Sequence, residues 1–445
     1  MDIKINFPRL LSLVVFLPSL FFYLGCQEDI EDPVHIEKKV KSTIYQSMKE
    51  WYYWNERLPA SVNPELYDDY EGLLDQLRYE PLDRWSYITT QEAFARAFTG
   101  QNIGHGFGWS LDENENLFLT FVYEDSPAGQ DGWQRGWEIL KINGQPISNY
   151  KTEQGYNFEL GPSESGISNS FTFLLPDGST TTRNNTKAPY QSNSVLYQDI
   201  IDLSGNKVGY WAYNSFKATA GISPTKSLEV DNSLQYFESQ SIDELIIDLR
   251  YNGGGSVAVA EQILNYLVPS HGDGKIMYTN QLNVDKAKFN ESKTFDKKGN
   301  LELERIIFIT SRGSASSSEL VINCLTPYLD VILIGENTYG KPVGAFPLST
   351  YYRTLAENDL ELVPITFATA NANGNAEYYE GFPVDFSIGD DFSKNWGEQG
   401  EPRLEAALNY ILQGSFPAEE RRKVVTPSWN MIDDFEGLKK EFPVY

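Results

Sequence analysis

"RIIFITSRGSASSSEL", Arg305 to Leu320, passes from an apolar, β-branched run through a serine-rich loop into a segment with apolar residues at helical spacing. An unbroken apolar run bounded by turn residues fits a strand buried on both faces. "SSELVINCL" reads as a helix that stops before Pro327. Strand, loop and helix in this order mark an α/β core. Two readings of the serines stand side by side. Ser316-Ser317-Ser318-Glu319 matches a helix capping box, which alone would explain a serine here. A serine at a helix start is also well placed as a nucleophile. The helix dipole favours negative charge there, and neighbouring N–H groups can hold a developing oxyanion.

Outward from this stretch the alternation continues. "KVGYWAYNSF" and "DELIIDLR" read as strands, "SVAVAEQILNYLV" as an amphipathic helix and "DVILIGE" as a further strand. Helices between apolar strands imply a sheet covered on both faces. "IIDLRYNGGGS" puts Gly253, Gly254 and Gly255 after the strand that ends near Asp248, and consecutive glycines let backbone amides approach a ligand closely. "IGENTYGKPVG" puts Lys341 25 residues after Ser316. Gly335 to Pro342 has the spacing of a phosphate-binding loop, but that motif needs Ser or Thr after the lysine and then a helix. Pro342 has no hydroxyl and "PVGAFPLSTYY" reads as extended, so nucleotide binding is rejected. The 3 histidines, His35, His105 and His271, lie away from the serine and lysine stretches.

In order and spacing, "DLRYNGGGS", "GSASSSEL" and "IGENTYGKPVG" resemble the signatures of the S41 family of C-terminal processing, or tail-specific, serine peptidases. The likeness extends to "GFPVD", ending at Asp385. It implies Ser316 as nucleophile and Lys341 as general base, with an oxyanion site between the N–H of Ser317 and that of Gly254 or Gly255. It implies no metal and no organic cofactor. A lysine can act as base because burial disfavours its charged form; its pKa has to fall from ~10.4 to roughly 7–8. Members of the family often carry a third polar residue at positions that are Pro327 and Ala345 here. That absence favours the alternative, a non-catalytic peptide-binding envelope lipoprotein with a decayed peptidase core, while retention of both Ser316 and Lys341 disfavours it. A structural envelope protein would leave the three motifs unexplained.

Composition limits the remainder. A chain of 445 residues suits two or three domains. Its net charge of -26 excludes nucleic acid, whose phosphates would repel it. Lys4 and Arg9 precede "LLSLVVFLPSLFFYLG", which is too short and too broken by Pro18 to span a membrane and reads as a leader. "LGC", Leu24 to Cys26, resembles a bacterial lipobox with Cys26 lipidated; an ordinary cleaved signal is the other reading. "QEDIEDP" is either a solvated linker or resembles the surface-export signal of some Gram-negative lipoproteins. From about His35 to Phe98 the pattern is helical, with "PELYDDYEGLLDQLRY" a helix from Pro64. Short strands and turns follow. "EDSPAGQDGWQRGWEILKINGQPI" and "GHGF" resemble a PDZ domain. Its loop would be Gly104, His105, Gly106 and Phe107, whose amides would hold a peptide's terminal carboxylate. Cys324, in an apolar helical run, reads as a buried structural thiol.

The expected organisation is α/β: a ClpP/crotonase-like peptidase core at 188–415, a PDZ-like β-rich domain at 100–187 and a small helical module at 37–99. A signal peptide at 1–25, an acidic tether at 26–36 and a tail at 416–445 complete it. The expected partner is an unstructured polypeptide. The expected location is the outer membrane of a Gram-negative bacterium, periplasmic or surface-exposed, held by the lipid anchor alone.

Overall fold

The computed structural model describes residues 32–417 apart from 154 and 222–224. The leader, Cys26 and most of the tail lie outside the described residues. Helix α1 (Pro33–Trp51) begins inside the stretch expected to be tether, because Asp32 caps it. The Asp32 side chain accepts the Val34 N–H at 3.1 Å, and Pro33 occupies the first turn, where its missing N–H costs nothing. Val40, Ile44 and Met48 recur at four-residue spacing and are fully buried. Helix α2 (Tyr70–Leu77) starts later than Pro64; Asp69 accepts the Gly72 N–H at 2.7 Å and sets the start there. A strand, β1 (Tyr87–Thr90), interrupts the expected helical run before α3 (Gln91–Thr99).

The next unit is β-rich. Strands β2 (Gln101–Gly104), β3 (Phe107–Leu111) and β4 (Leu117–Val122) precede a one-turn helix α4 (Pro127–Gln130) and β5 (Glu138–Ile142). Short strands β6 (Gln145–Pro146), β7 (Lys151–Thr152) and β8 (Gly155–Tyr156) lead to β9 (Ser168–Leu174), β10 (Thr180–Thr186) and β11 (Ala188–Gln191). One sheet runs β10-β9-β5-β4-β3, and β11 returns to pair with β2. Its core is aromatic: Trp133, Trp137, Phe171 and Phe173 pack with Leu117, Leu119 and Ile139.

The remainder is an α/β core. Strands β12 (Val195–Leu203) and β13 (Asn206–Tyr213) form a hairpin, and helix α5 (Leu228–Gln240) joins β13 to β14 (Glu244–Asp248). Helix α6 (Val257–Leu267), β15 (Ile276–Leu282), β16 (Glu291–Thr294), β17 (Arg305–Thr310), α7 (Ser317–Leu325) and β18 (Asp330–Gly335) follow. The chain then forms β19 (Val343–Ala345), α8 (Arg353–Glu357), β20 (Leu360–Val363), β21 (Ile365–Asn371), β22 (Phe386–Ser387) and α9 (Pro402–Gln413). The main sheet is ordered β12-β13-β14-β17-β18-β22, parallel throughout except for the antiparallel edge strand β12. Alternate residues face opposite layers. Leu245, Ile247, Ile306 and Phe308 pack against α5, α6 and α7. Ile246, Ile307 and Ile309 pack against Leu404, Ala407 and Ile411 of α9. Each such side chain stabilises the fold by roughly 1.5–3 kcal/mol when fully buried.

The helical module is joined to this core. Strand β1 pairs antiparallel with β20, Tyr87 opposite Val363. Leu73, Leu74 and Trp85 share one apolar cluster with Val343, Ala345 and Ile365. Among the described residues no helix is long and apolar enough to cross a membrane.

Candidate active site

Strands β14, β17 and β18 are adjacent and parallel, so their C-terminal ends share one edge of the sheet. The three motif loops, 249–256, 311–316 and 336–342, leave from those ends and therefore meet. This is why residues far apart in sequence form one site.

Serines of this loop and of the first turn of α7 tie it to the glycine loop. Ser314 Oγ donates to Leu249 O at 2.7 Å, Ser317 Oγ to Gly255 O at 2.8 Å and Ser318 Oγ to Asn252 O at 2.9 Å. Ser316 instead lines a narrow cleft together with Lys341, Val257, Leu320, Phe367 and Tyr378. Its backbone is in a region non-glycine residues rarely adopt, φ 57° and ψ -112°. Such strain persists only where the surroundings over-determine it. They do so here: Glu319 accepts the Ser316 N–H at 2.9 Å, and Ser316 O accepts the Leu320 N–H at 2.7 Å. Ser316 is thus the N-cap of α7 as well as a cleft residue.

Glu319 is completely buried and joins the serine turn to the lysine loop. Besides the Ser316 N–H, its carboxylate accepts the Lys341 N–H at 2.8 Å, the Gly340 N–H at 2.7 Å and the Thr338 hydroxyl at 2.6 Å. Burial pushes its pKa up while these donors pull it down. The capping-box pattern identified this residue; its grip on the lysine loop is long-range and had no local signal.

Lys341 is 3% exposed, and its amine is pulled down to about 7. Burial is the main cause; Asp83 and Glu319 act against it, and Arg84 acts with it. Asp83, Arg84 and Trp85 belong to "DRWS" in the helical module, which sequence reasoning left without a role. The positions expected to carry a third polar residue do not: Pro327 follows the end of α7, and Ala345 is buried in the apolar cluster of the module.

Gly254 approaches Ser316 so closely that a Cβ would stand 2.9 Å from Ser316 Cβ and 3.0 Å from Ser317 N. Its φ of 108° also requires glycine. The Gly254 N–H, however, donates to Asn252 Oδ1 at 2.9 Å. Of the two glycines named from sequence, Gly254 is therefore the one packed against the serine turn, with its N–H already engaged. The strand end below is anchored by a buried ionic group. Arg250 binds Asp248, Asp390 and Glu401, and Asp390 also binds Arg135 of the β-rich unit.

The "GHGF" loop lies elsewhere, between β2 and β3. With Arg96, Lys187 and Lys217 it lines a cavity of about 490 Å³. His105 is buried between Asn185 Oδ1 at 2.7 Å and Asn169 Oδ1 at 2.8 Å, and burial lowers its pKa. Gly106 has φ 87°, and a Cβ there would strike Ser126 Cβ at 2.0 Å. Phe107 lines the cavity and packs on Trp109, Trp133 and Phe171.

Comparison with known proteins accords with this arrangement. Residues 207–365 match the model of peptidase family S41, and residues 39–87 match that of the peptidase S41 N-terminal domain. The chain is 26% identical over 307 residues to a carboxyl-terminal-processing protease of Synechocystis sp., covering 65% of each chain. It is 23% identical over 323 residues to the chloroplastic carboxyl-terminal-processing peptidase 3 of Arabidopsis thaliana, covering 71% of this chain and 59% of that one. The chain thus spans about three fifths of the length of these relatives. A crystal structure of a Bacteroides fragilis protein assigned to the S41 proteases superposes with a TM-score of 0.67 at 24% identity, over 84% of this chain and 97% of that one.

Proposed function

Because this chain belongs to peptidase family S41, we propose that it is a serine endopeptidase working through a Ser316–Lys341 dyad. The observation that carries the reading is a lysine buried in the same cleft as a strained serine and brought to about 7. Neutral Lys341 takes the proton of Ser316 Oγ as the oxygen attacks the scissile carbonyl. The resulting oxyanion is held by the N–H groups of Gly255 and Ser317, at the positive end of α7. Collapse breaks the C–N bond, and the Lys341 ammonium gives its proton to the leaving amine. Water then enters and attacks the acyl ester as Lys341 takes its proton; collapse breaks the ester C–O bond, and the Lys341 ammonium returns the proton to Ser316 Oγ, releasing the new carboxyl terminus.

The core reads as ClpP/crotonase-like and the 100–187 unit as a PDZ-like domain that captures unstructured polypeptides near their C-termini. Support for capture comes from the cavity beside "GHGF" and its three cationic lining residues. A peptide's terminal carboxylate is the complementary group. Cys26 would anchor the chain to the outer membrane of a Gram-negative cell, facing the periplasm or the surface. The decayed, non-catalytic alternative is weakened by Glu319, which holds both catalytic loops in register.

The test is cleavage of an unfolded protein by the purified chain. Ser316→Ala and Lys341→Ala are each expected to abolish turnover with the fold kept. Full activity in either variant would refute the dyad. Capture is tested by KM for one peptide as free acid and as amide; a higher KM for the amide is expected, and equal values would leave the 100–187 unit a spacer.

A further inference from the structure

We propose that Trp85, delivered by the N-terminal helical module, is the positioning residue of Lys341: its indole is the wall against which the amine is held and shielded from water. The proposal rests on the Ser316–Lys341 reading above. Trp85 is 3% exposed, and Lys341 Nζ lies 5.3 Å from the centre of its ring. The indole meets the ring of Tyr339, on the lysine loop, edge-on at 6.4 Å. The Arg84 guanidinium covers both rings, at 5.1 Å and 4.9 Å.

Trp85 is itself fixed on both sides. Asp83, 2% exposed, accepts the N–H groups of Trp85 and Ser86 at 3.0 Å, the Ser86 hydroxyl at 2.6 Å and the Tyr52 hydroxyl at 2.7 Å. Ser86 Oγ in turn accepts the Ile365 N–H at 2.9 Å, and β1 begins at the next residue. On the far side, the Tyr339 N–H donates to Ser314 O at 2.9 Å. An unbroken line of contacts therefore runs from the module through the lysine loop to the serine loop. Ala345, where a polar helper was expected, belongs to the same apolar cluster as Trp85. A hydrophobic wall occupies the region instead.

The charged and titratable groups around Lys341 are Asp83 and Arg84 on the module, Glu319 on α7, and Tyr339 and Tyr378 beside the cleft. The two carboxylates favour the ammonium and Arg84 disfavours it; burial outweighs them. The indole acts in two opposed ways. Its π face attracts a cation, and its bulk excludes the water that would stabilise one. The larger effect is assigned to exclusion: burial is the largest influence on this amine, and the indole stands 5.3 Å from Nζ.

The test compares Trp85→Ala and Trp85→Phe with Leu77→Ala, a buried module residue that does not line the cleft. Two readouts are taken on the whole chain: kcat/KM against pH, and an NMR titration of the Lys341 side chain with ¹³C-labelled lysine. In Trp85→Ala the titration midpoint is expected to rise by about one pH unit or more, and kcat/KM near neutrality to fall about tenfold, recovering in alkali. Trp85→Phe restores most of both. Leu77→Ala lowers stability without moving the midpoint. An unmoved midpoint in Trp85→Ala, or a pH-independent loss equal to that of Leu77→Ala, overturns the proposal. Should the wild type cleave nothing, the NMR midpoint still decides the role of Trp85, and only the peptidase reading falls.

Discussion

At Lys341 the native state buries an amine that water would hold charged. Its folded pKa, about 7, lies below the ordinary 10.5. Between those values the unfolded chain binds more protons, so the stability contributed at this position rises with pH from about 7 to 10.5. Below that window the full penalty for a buried cation applies. Lys341→Met is therefore expected to stabilise the chain by ~2–5 kcal/mol at mildly acidic pH, less in alkali, while ending turnover. Denaturant melts at two pH values check it; equal gains at both would show that the amine does not titrate. Glu319 is likewise shifted toward its neutral form by burial, though its four donors act against that shift. Glu319→Gln sets an amide N–H₂ against N–H or O–H donors. It is expected to cost ~2–4 kcal/mol and to slow turnover by roughly 10²-fold, since the serine and lysine loops lose their common tether. Denaturation midpoints and kcat report these separately. The serine, the lysine and the glycines were legible as residues because each sits in a short local motif. Trp85 and Asp83 were not, because their importance arises only when β1 pairs with β20 some 270 residues later, at Tyr87 opposite Val363.

Among the elements, the parallel strands were the clearest in sequence. Strand β17 is buried on both faces and so reads as a continuous apolar run, Ile306 to Ile309. The start of α2 was misplaced because "PELYDD" offers two caps: Asn63 before Pro64 makes only a short 3₁₀ turn, and Asp69 starts the α-helix. Strand β1 went unseen; "YITT" is four residues long and lies between helices. The glycine loop shows most directly how an element serves the site. At Gly254 a side chain would meet Ser316 Cβ at 2.9 Å in a backbone conformation it disfavours. Gly254→Ala is expected to displace the Ser316 turn and reduce kcat by on the order of 10²-fold with little change in KM. Steady-state kinetics test this; an unchanged kcat would mean that the close approach is not needed.

Over the whole molecule, buried charge joins what the sequence reads as separate domains. Arg135 of the β-rich unit donates to Tyr251 of the glycine loop at 2.7 Å and to Asp390 of the C-terminal segment at 2.9 Å. Burial alone would push Asp390 up, but Arg250, Arg135 and Arg403 hold its carboxyl well below the usual range. Arg135→Ala is expected to destabilise the chain by ~3–5 kcal/mol, as removal of one partner from a buried ionic group does. A shift below ~1 kcal/mol in chemical denaturation would mean that water replaces the guanidinium. No sequence pattern marked Arg135, because its partners lie 116 and 255 residues away. The proposed function rests on one chemical event, removal of a proton from Ser316 by Lys341. Its most direct measurement is intact-mass detection of acylation by a fluorophosphonate probe from pH 5 to pH 9. A single adduct mapped to Ser316, forming faster as pH rises through about 7 and absent in Lys341→Ala, is the predicted result. An adduct on another residue, or an undiminished rate in Lys341→Ala, would contradict it.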